Sequence, residues 1–295
     1  MLDWGIEVVL WLQRWSPTLD LPFRSITWLG SEGFFLLMLP WLYWCVDRRL
    51  GLRMSILLMV SFYLNVLCKE WLQQPRPFAY DTRVRPLVQA GSGGLPSGHA
   101  QVTIVFWGYL ATQLRRPWLW GVTTLLLILI PLSRVYLGVH FPTDILGGYL
   151  LGTLLLILFL QGAPALERKL LQYGLAWRHG LAVGAPLLLI LGSGGSKYGV
   201  TTGAVLMGIG YGAILERHWV AFDSKGSRWQ KAVRFFLGTV FLAALWYGLR
   251  MAFAGLRPDV LFRVLHYGLA GLWISFGAPW TFVYLGLAPA QRQEY

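Results

Sequence analysis

Residues 131–148 read PLSRVYLGVHFPTDILGG and mark the junction of two long apolar runs, 118–139 and 144–162. Ser133, Arg134, His140, Thr143 and Asp144 meet at this junction. An ionisable group at membrane depth costs about 2.5–3.5 kcal/mol on insertion scales, so each one here needs a compensating role. Apolar runs of this length recur along the chain, and they decide the fold.

The chain has 295 residues, 56% of them hydrophobic and 13% charged. A soluble domain carries about 25% charge. Runs of about 18 or more apolar residues mark helices that cross a bilayer, because a helix satisfies its own backbone in lipid. The sequence therefore predicts an all-α polytopic bundle of about nine spans, near 25–46, 54–73, 98–114, 118–139, 144–162, 181–195, 198–215, 235–254 and 264–287. The first residues, 1–24, carry Trp4, Trp11 and Trp15 without a basic leader, which predicts an interfacial helix rather than a signal peptide. Cys45 and Cys68 fall inside apolar runs and read as packing residues.

The net charge of +12 raises the question of nucleic acid. The basic residues are spread over short loops, with no Arg-rich stripe or nucleic-acid motif, and membrane topology accounts for them better. One side of the predicted bundle receives Arg48, Arg49, Arg53, Arg115, Arg116, Arg168, Lys169, Arg178, Arg217, Lys225, Arg228, Lys231 and Arg234. That side is expected to be cytoplasmic, which places the 131–148 junction and the 74–97 loop on the outer face.

Three polar clusters share that outer face. The first, KEWLQQPRP (69–77), ends the second span with Lys69 and a proline-flanked Arg76. The second, GLPSGHAQ (94–101), opens a helix whose free amides suit an anion; Gly98 admits an oxyanion to the backbone and His99 stands beside it. The third is the junction itself. His140 and Asp144 are four apart, so a carboxylate can hold one imidazole nitrogen and leave the other as a base or nucleophile. Singly, these clusters also read as snorkelling cations, an ordinary N-cap and a structural His–Asp pair. Together, Lys69, Arg76 and Arg134 suit a dianionic phosphate, and His99 with His140 suit a two-step transfer in which one attacks phosphorus and one protonates the leaving group. Three nearby cations argue against a metal ion, and no cofactor is expected.

These residues resemble the three-part signature of the type 2 phosphatidic acid phosphatase superfamily of integral membrane lipid phosphatases. The signature reads here as Lys69–Arg76–Pro77, Pro96–Ser97–Gly98–His99 and Ser133–Arg134–His140–Asp144, with no departure. The resemblance covers residues 25 to 162. It implies a phosphohistidine on His140 oriented by Asp144, with His99 as acid and then base. It also implies that Lys69, Arg76, Ser97, Gly98 and Arg134 hold the phosphate, with no metal required and a site facing away from the cytoplasm. The chain then divides into an N-terminal interfacial helix (1–24), a phosphatase core (25–163) and an additional C-terminal transmembrane region (164–295).

Several readings stay open beside this one. A phosphotransferase to a lipid or sugar acceptor would use the same His140. The helices after 181 suit a scaffold or groove lining, or a lipid transport or flipping module. Arg83 and Arg85 read as solvated loop charges or headgroup contacts, and Glu32 as a pocket or packing residue. His179, His218 and His266 read as interfacial. The expected partners are a lipid phosphate and membrane lipids, the expected location a prokaryotic plasma membrane, and oligomeric state is not readable.

Overall fold

The computed structural model describes residues 2–290, and all of its regular elements are helices. Among the described residues, seven helices are long and apolar enough to cross a membrane, or eight if the bent pair Asp20–Trp28 and Glu32–Val46 is one span. This agrees with the expected all-α membrane bundle. The main difference lies at 98–114. That stretch is helical throughout, but it comes as pieces of 6, 5 and 6 residues around a π-helical turn, Ile104–Gly108, and is short for a crossing.

The chain divides into two compact units, the first being the chain up to Phe35 with Leu64–Ala163, the second Leu36–Tyr63 with the chain from Pro164 on. In order, the helices of the first stretch are α1 (Asp3–Gln13), α2 (Asp20–Trp28) and α3 (Glu32–Trp41), followed by a π turn at Leu42–Val46. Next come α4 (Arg48–Leu72), α5 (Pro77–Tyr80), α6 (Gly98–Thr103), α7 (Tyr109–Leu114), α8 (Pro117–Tyr136) and α9 (Pro142–Gln172). The remainder are α10 (Leu175–Gly192), α11 (Lys197–Trp219), α12 (Arg228–Ala252), α13 (Asp259–Leu272) and α14 (Ala278–Tyr284), with a π turn at Trp273–Gly277 between the last two.

In the first unit, α9 shows how the sequence sorts its faces. Leu146, Leu150, Leu154 and Leu158 recur every four residues and are exposed, as a lipid-facing stripe requires. The opposite face buries Asp144, Gly148, Gly152 and Leu155. Those glycines let α9 come close to α6: an added Cβ at Gly148 would stand 2.5 Å from the Ser97 carbonyl oxygen, and one at Gly152 2.8 Å from that of Gln101. The small-residue spacing is thus a helix contact that presses α9, with Asp144, onto the helix that carries His99. Below α6, Asn65 of α4 donates to Gln101 Oε1 at 2.7 Å and to the Pro96 carbonyl at 3.2 Å, satisfying a buried amide. The α1 helix packs Ile6 and Val9 into a core with Val84, Ala100, Val135, Phe141 and Ile145.

In the second unit, α11 and α13 cross where Gly208, Gly212, Gly268 and Gly271 thin both helices, and Ser275 donates to the Gly271 carbonyl at 3.0 Å. Arg234 belongs to the basic loops by sequence, yet its side chain is 0% exposed. Its guanidinium donates to the carbonyls of Trp44, Ser224 and Lys225 and lies 5.7 Å from the centre of the Phe222 ring. Carbonyl dipoles and the ring face replace the water this cation has lost. Ser227 and Gln230 form a capping box that starts α12 beneath it.

Candidate active site

The three polar clusters all fall in the first unit, and two turns bring them together. Pro75 and Pro77 end α4 and start α5, so Arg76 leaves the helix with extended backbone. Gly138, at φ +74°, ends α8 in a conformation that suits glycine and turns the chain back toward α9. His140 lies just beyond this turn and Asp144 in the first turn of α9.

Within this turn, His140 Nδ1 lies 3.0 Å from Asp144 Oδ2. The same carboxylate oxygen accepts the Phe141 amide at 3.0 Å, and Gln74 Nε2 donates to Oδ1 at 2.6 Å. A carboxylate held on three sides fixes the ring as the tautomer with hydrogen on Nδ1 and a lone pair on Nε2. Arg76 Nη1 faces that lone pair at 3.3 Å and also donates to the Val139 carbonyl at 2.6 Å. Burial first, then the charges of Lys69, Arg76 and Arg134, holds His140 well below the ordinary imidazole range, so the ring is neutral at pH 7.

The second cluster joins the same group. The Ser97 amide donates to the Asp144 carbonyl at 2.9 Å, and the Ser97 hydroxyl caps α6 by accepting the Ala100 amide at 3.5 Å. Gly98 begins the helix and His99 follows it. Arg76 Nε donates to the Ser92 carbonyl at 2.7 Å and Lys69 Nζ to the Gly93 carbonyl at 3.0 Å, which draws the 91–97 loop over the end of α4. Arg134, on the last turn of α8, is buried; its Nη1 donates to the Thr27 hydroxyl at 3.0 Å, and its Nε has no hydrogen-bond partner. His99 hydrogen-bonds the Thr27 backbone, so Thr27 links Arg134 to His99. All eight residues expected from the sequence therefore gather in one neighbourhood. Among the described residues, no three His, Cys, Asp or Glu side chains form a metal-holding group.

Three supporting residues carry no signal in the sequence. Thr27 lies in α2, outside all three parts of the signature, and a threonine in an apolar helix looks like any other. Gln74 is one of the six residues between Lys69 and Arg76 that the signature leaves unspecified. Gly94 is read as loop, yet a Cβ there would stand 3.0 Å from Asp144 Oδ2. Arg83 serves structure instead: it is exposed and pairs with Asp81 at 2.8 Å and Glu7 at 3.2 Å. Glu32 is exposed at the start of α3.

Comparison with known proteins agrees with the motif. Residues 50–168 match the PAP2 superfamily, and residues 200–292 match the transmembrane extension of PAP2 superfamily phosphatases. The chain is 32% identical over 157 residues to phosphatidylglycerophosphatase B of Bacillus subtilis, covering 48% of this chain and 74% of that protein. It is 31% identical over 212 residues to mouse glucose-6-phosphatase 3, covering 63% of this chain and 60% of the relative's length. A solved structure, the transmembrane PAP2-type phosphatidylglycerolphosphate phosphatase from Bacillus subtilis, aligns with a TM-score of 0.45 and 27% identity over 56% of this chain and 85% of that one. With the signature, both family matches and the phosphatase of which this chain covers 74% in agreement, the chain belongs to the type 2 phosphatidic acid phosphatase (PAP2) superfamily and is a membrane phosphatase.

Proposed function

We propose that the protein hydrolyses a lipid phosphate or lipid diphosphate through a phosphohistidine on His140, at the membrane face opposite the basic loops. The observation that carries this reading is the 3.0 Å contact of Asp144 Oδ2 with His140 Nδ1, which directs the Nε2 lone pair toward Arg76.

In the first step, phosphate oxygens take the Arg76, Arg134 and Lys69 donors together with amides near Ser97 and Gly98. The Arg134 Nε–H, buried without a partner, gains an acceptor. Nε2 of His140 attacks phosphorus and the bond from phosphorus to the ester oxygen breaks; His99, protonated once the bound phosphate dianion offsets the neighbouring cations, gives its proton to the leaving oxygen. In the second step, neutral His99 takes a proton from water, the hydroxide attacks phosphorus, and the P–N bond breaks to return neutral His140 and inorganic phosphate. Asp144 stabilises the imidazolium character that develops during attack. The cations and helix-terminal amides stabilise the trigonal-bipyramidal state without a metal.

A lipid substrate follows from where the site lies, at the ends of membrane helices with exposed leucine stripes, so that a headgroup reaches the cations while its tail stays in lipid. The long alignment with glucose-6-phosphatase 3 favours a second reading, a water-soluble sugar phosphate at the same residues. Phosphate release in detergent with EDTA, over a panel of lipid phosphates and glucose 6-phosphate, separates the two. Turnover on a lipid and not the sugar supports the first reading, and the reverse replaces it with the second. Release that requires a lipid or sugar acceptor would make the protein a phosphotransferase. An outer plasma-membrane location is part of the proposal, and labelling of a cysteine placed in the 78–93 loop of intact cells tests it.

A further inference from the structure

The second unit contains a cavity of about 300 Å³ whose wall includes Tyr43, Arg48, Arg49, Glu167, Glu216 and Arg217. This is the lower end of the range for small-ligand pockets and large enough for a phosphate-bearing headgroup. Its polar groups come from helix ends. Arg48 and Arg49 open α4, Glu167 stands near the end of α9, and Glu216 and Arg217 near the end of α11. Such ends lie at the membrane boundary, on the side that collects the basic loops.

Two features distinguish this wall from a surface scatter of charge. The first is preorganisation. Glu216 is 1% exposed and accepts Arg48 Nη1 at 3.0 Å on both carboxylate oxygens, together with the Phe222 amide at 2.7 Å. Glu167 accepts Arg49 Nη2 at 3.0 Å and also pairs with Arg53. Glu216 therefore holds the Arg48 guanidinium in place and Glu167 those of Arg49 and Arg53, and the four cations Arg48, Arg49, Arg53 and Arg217 still outnumber the three acids Asp47, Glu167 and Glu216. The second is polarity. The first turn of α4 carries two arginines and no acid, opposite to what the positive end of a 25-residue helix favours. Asp47, just before that turn, caps one amide: its Oδ1 accepts the Leu50 N–H at 2.6 Å. Excess cationic charge at a helix N-terminus beside a cavity is offset by a bound anion.

We infer that this cavity binds the phosphate of an anionic headgroup, separately from the catalytic residues, and that its natural source is an anionic phospholipid of the leaflet on the basic side. Basic pockets between transmembrane helices on that side take up anionic headgroups in this way. A phosphodiester such as phosphatidylglycerol has the right charge and carries no phosphate monoester, so its binding is separable from turnover. The occupied cavity ties the starts and ends of α4, α9 and α11 to one ligand, which stabilises the folded protein by linkage.

The test is the melting temperature of the full-length protein in detergent, with phosphatidylglycerol, phosphatidylcholine or inorganic phosphate added. Four proteins are compared: wild type, R49Q/R217Q, R49K/R217K, and R115Q/R116Q as a control on basic residues outside the cavity. Phosphatidylglycerol is expected to raise the wild-type and control values by about 4 °C over phosphatidylcholine. The rise should fall below half in R49Q/R217Q and recover in R49K/R217K. A rise with inorganic phosphate equal to that with the lipid would identify a simple anion as the ligand; a rise with the lipid alone identifies the headgroup in its leaflet. Equal rises in wild type and R49Q/R217Q, or no rise with either anion, would overturn the inference. Should R49Q/R217Q fail to fold, retention of phosphatidylglycerol by R49K/R217K and wild type is read by mass spectrometry of the purified proteins, and loss from wild type overturns it equally.

Discussion

Asp144 Oδ2 lies 3.0 Å from His140 Nδ1, and the two side chains are 0% and 2% exposed. Four residues apart at the start of α9, they form a pair whose geometry depends on the Gly138 turn before it and on Gln74 from the other side. Asp144→Asn keeps the size of the side chain and loses its charge and acceptor pattern. We expect kcat to fall about 10³-fold or more with KM nearly unchanged, because the ring is then free to take the wrong tautomer. Steady-state kinetics on the best substrate of the panel checks this; a fall below tenfold would mean that Asp144 does not orient His140.

Thr27 stands outside the motif, and its hydroxyl accepts Arg134 Nη1 at 3.0 Å. Thr27→Val keeps the shape and removes this acceptor from a buried guanidinium. The expected result is a 10- to 100-fold loss in kcat/KM, carried mainly by KM, with matching weakening of inhibition by inorganic phosphate. Thr27→Ser should restore most of the loss. A change in melting temperature without any change in phosphate inhibition would reduce Thr27 to a packing residue.

Gly138 has φ +74°, and a Cβ there would stand 2.6 Å from the Arg85 carbonyl oxygen and 2.7 Å from Gln13 Nε2. Gly138→Ala is expected to cost about 2 kcal/mol from backbone strain and crowding, seen as a fall of several degrees in Tm. Activity at low temperature should fall as well, since His140 follows two residues later. A variant as stable as wild type would show that the turn adapts freely.

Burial and the neighbouring cations depress His140, which gives its pH dependence a definite sign. A histidine depressed on folding binds fewer protons than in the unfolded chain, so its contribution to stability is complete above the unfolded value of about 6.5. That contribution is lost as pH falls from there toward the folded value. Wild-type Tm should therefore drop more between pH 7.5 and 5 than that of His140→Gln. Parallel curves would indicate that His140 protonates as easily folded as unfolded.

How much of this could be read from the sequence follows the kind of interaction involved. Lys69, Arg76, His99, Arg134, His140 and Asp144 stand out because charged and titratable residues are rare in apolar runs, and Ser97 because it opens one beside Gly98 and His99. Thr27 and Gln74 meet their partners only through tertiary packing, across 107 and 70 residues, and neither residue type is unusual where it stands. Arg234 shows the opposite limit. Its place among basic loop residues suggests solvent, but the carbonyls of Trp44, Ser224 and Lys225 that satisfy it come from folded turns without local signature. The helical membrane class was legible from run lengths, whereas the π turn that breaks up 98–114 was not, because apolar periodicity continues through it.

The central claim is that His140 Nε2 carries the phosphoryl group between the two steps. The most direct measurement is a rapid acid-free quench during turnover of a ³²P-labelled lipid phosphate with EDTA present, followed by site mapping of the label. The account predicts an acid-labile, base-stable phosphoryl group on His140 in wild type, with neither label nor phosphate release in His140→Ala. Phosphate release that survives in His140→Ala, or a label mapped to another residue, would contradict it.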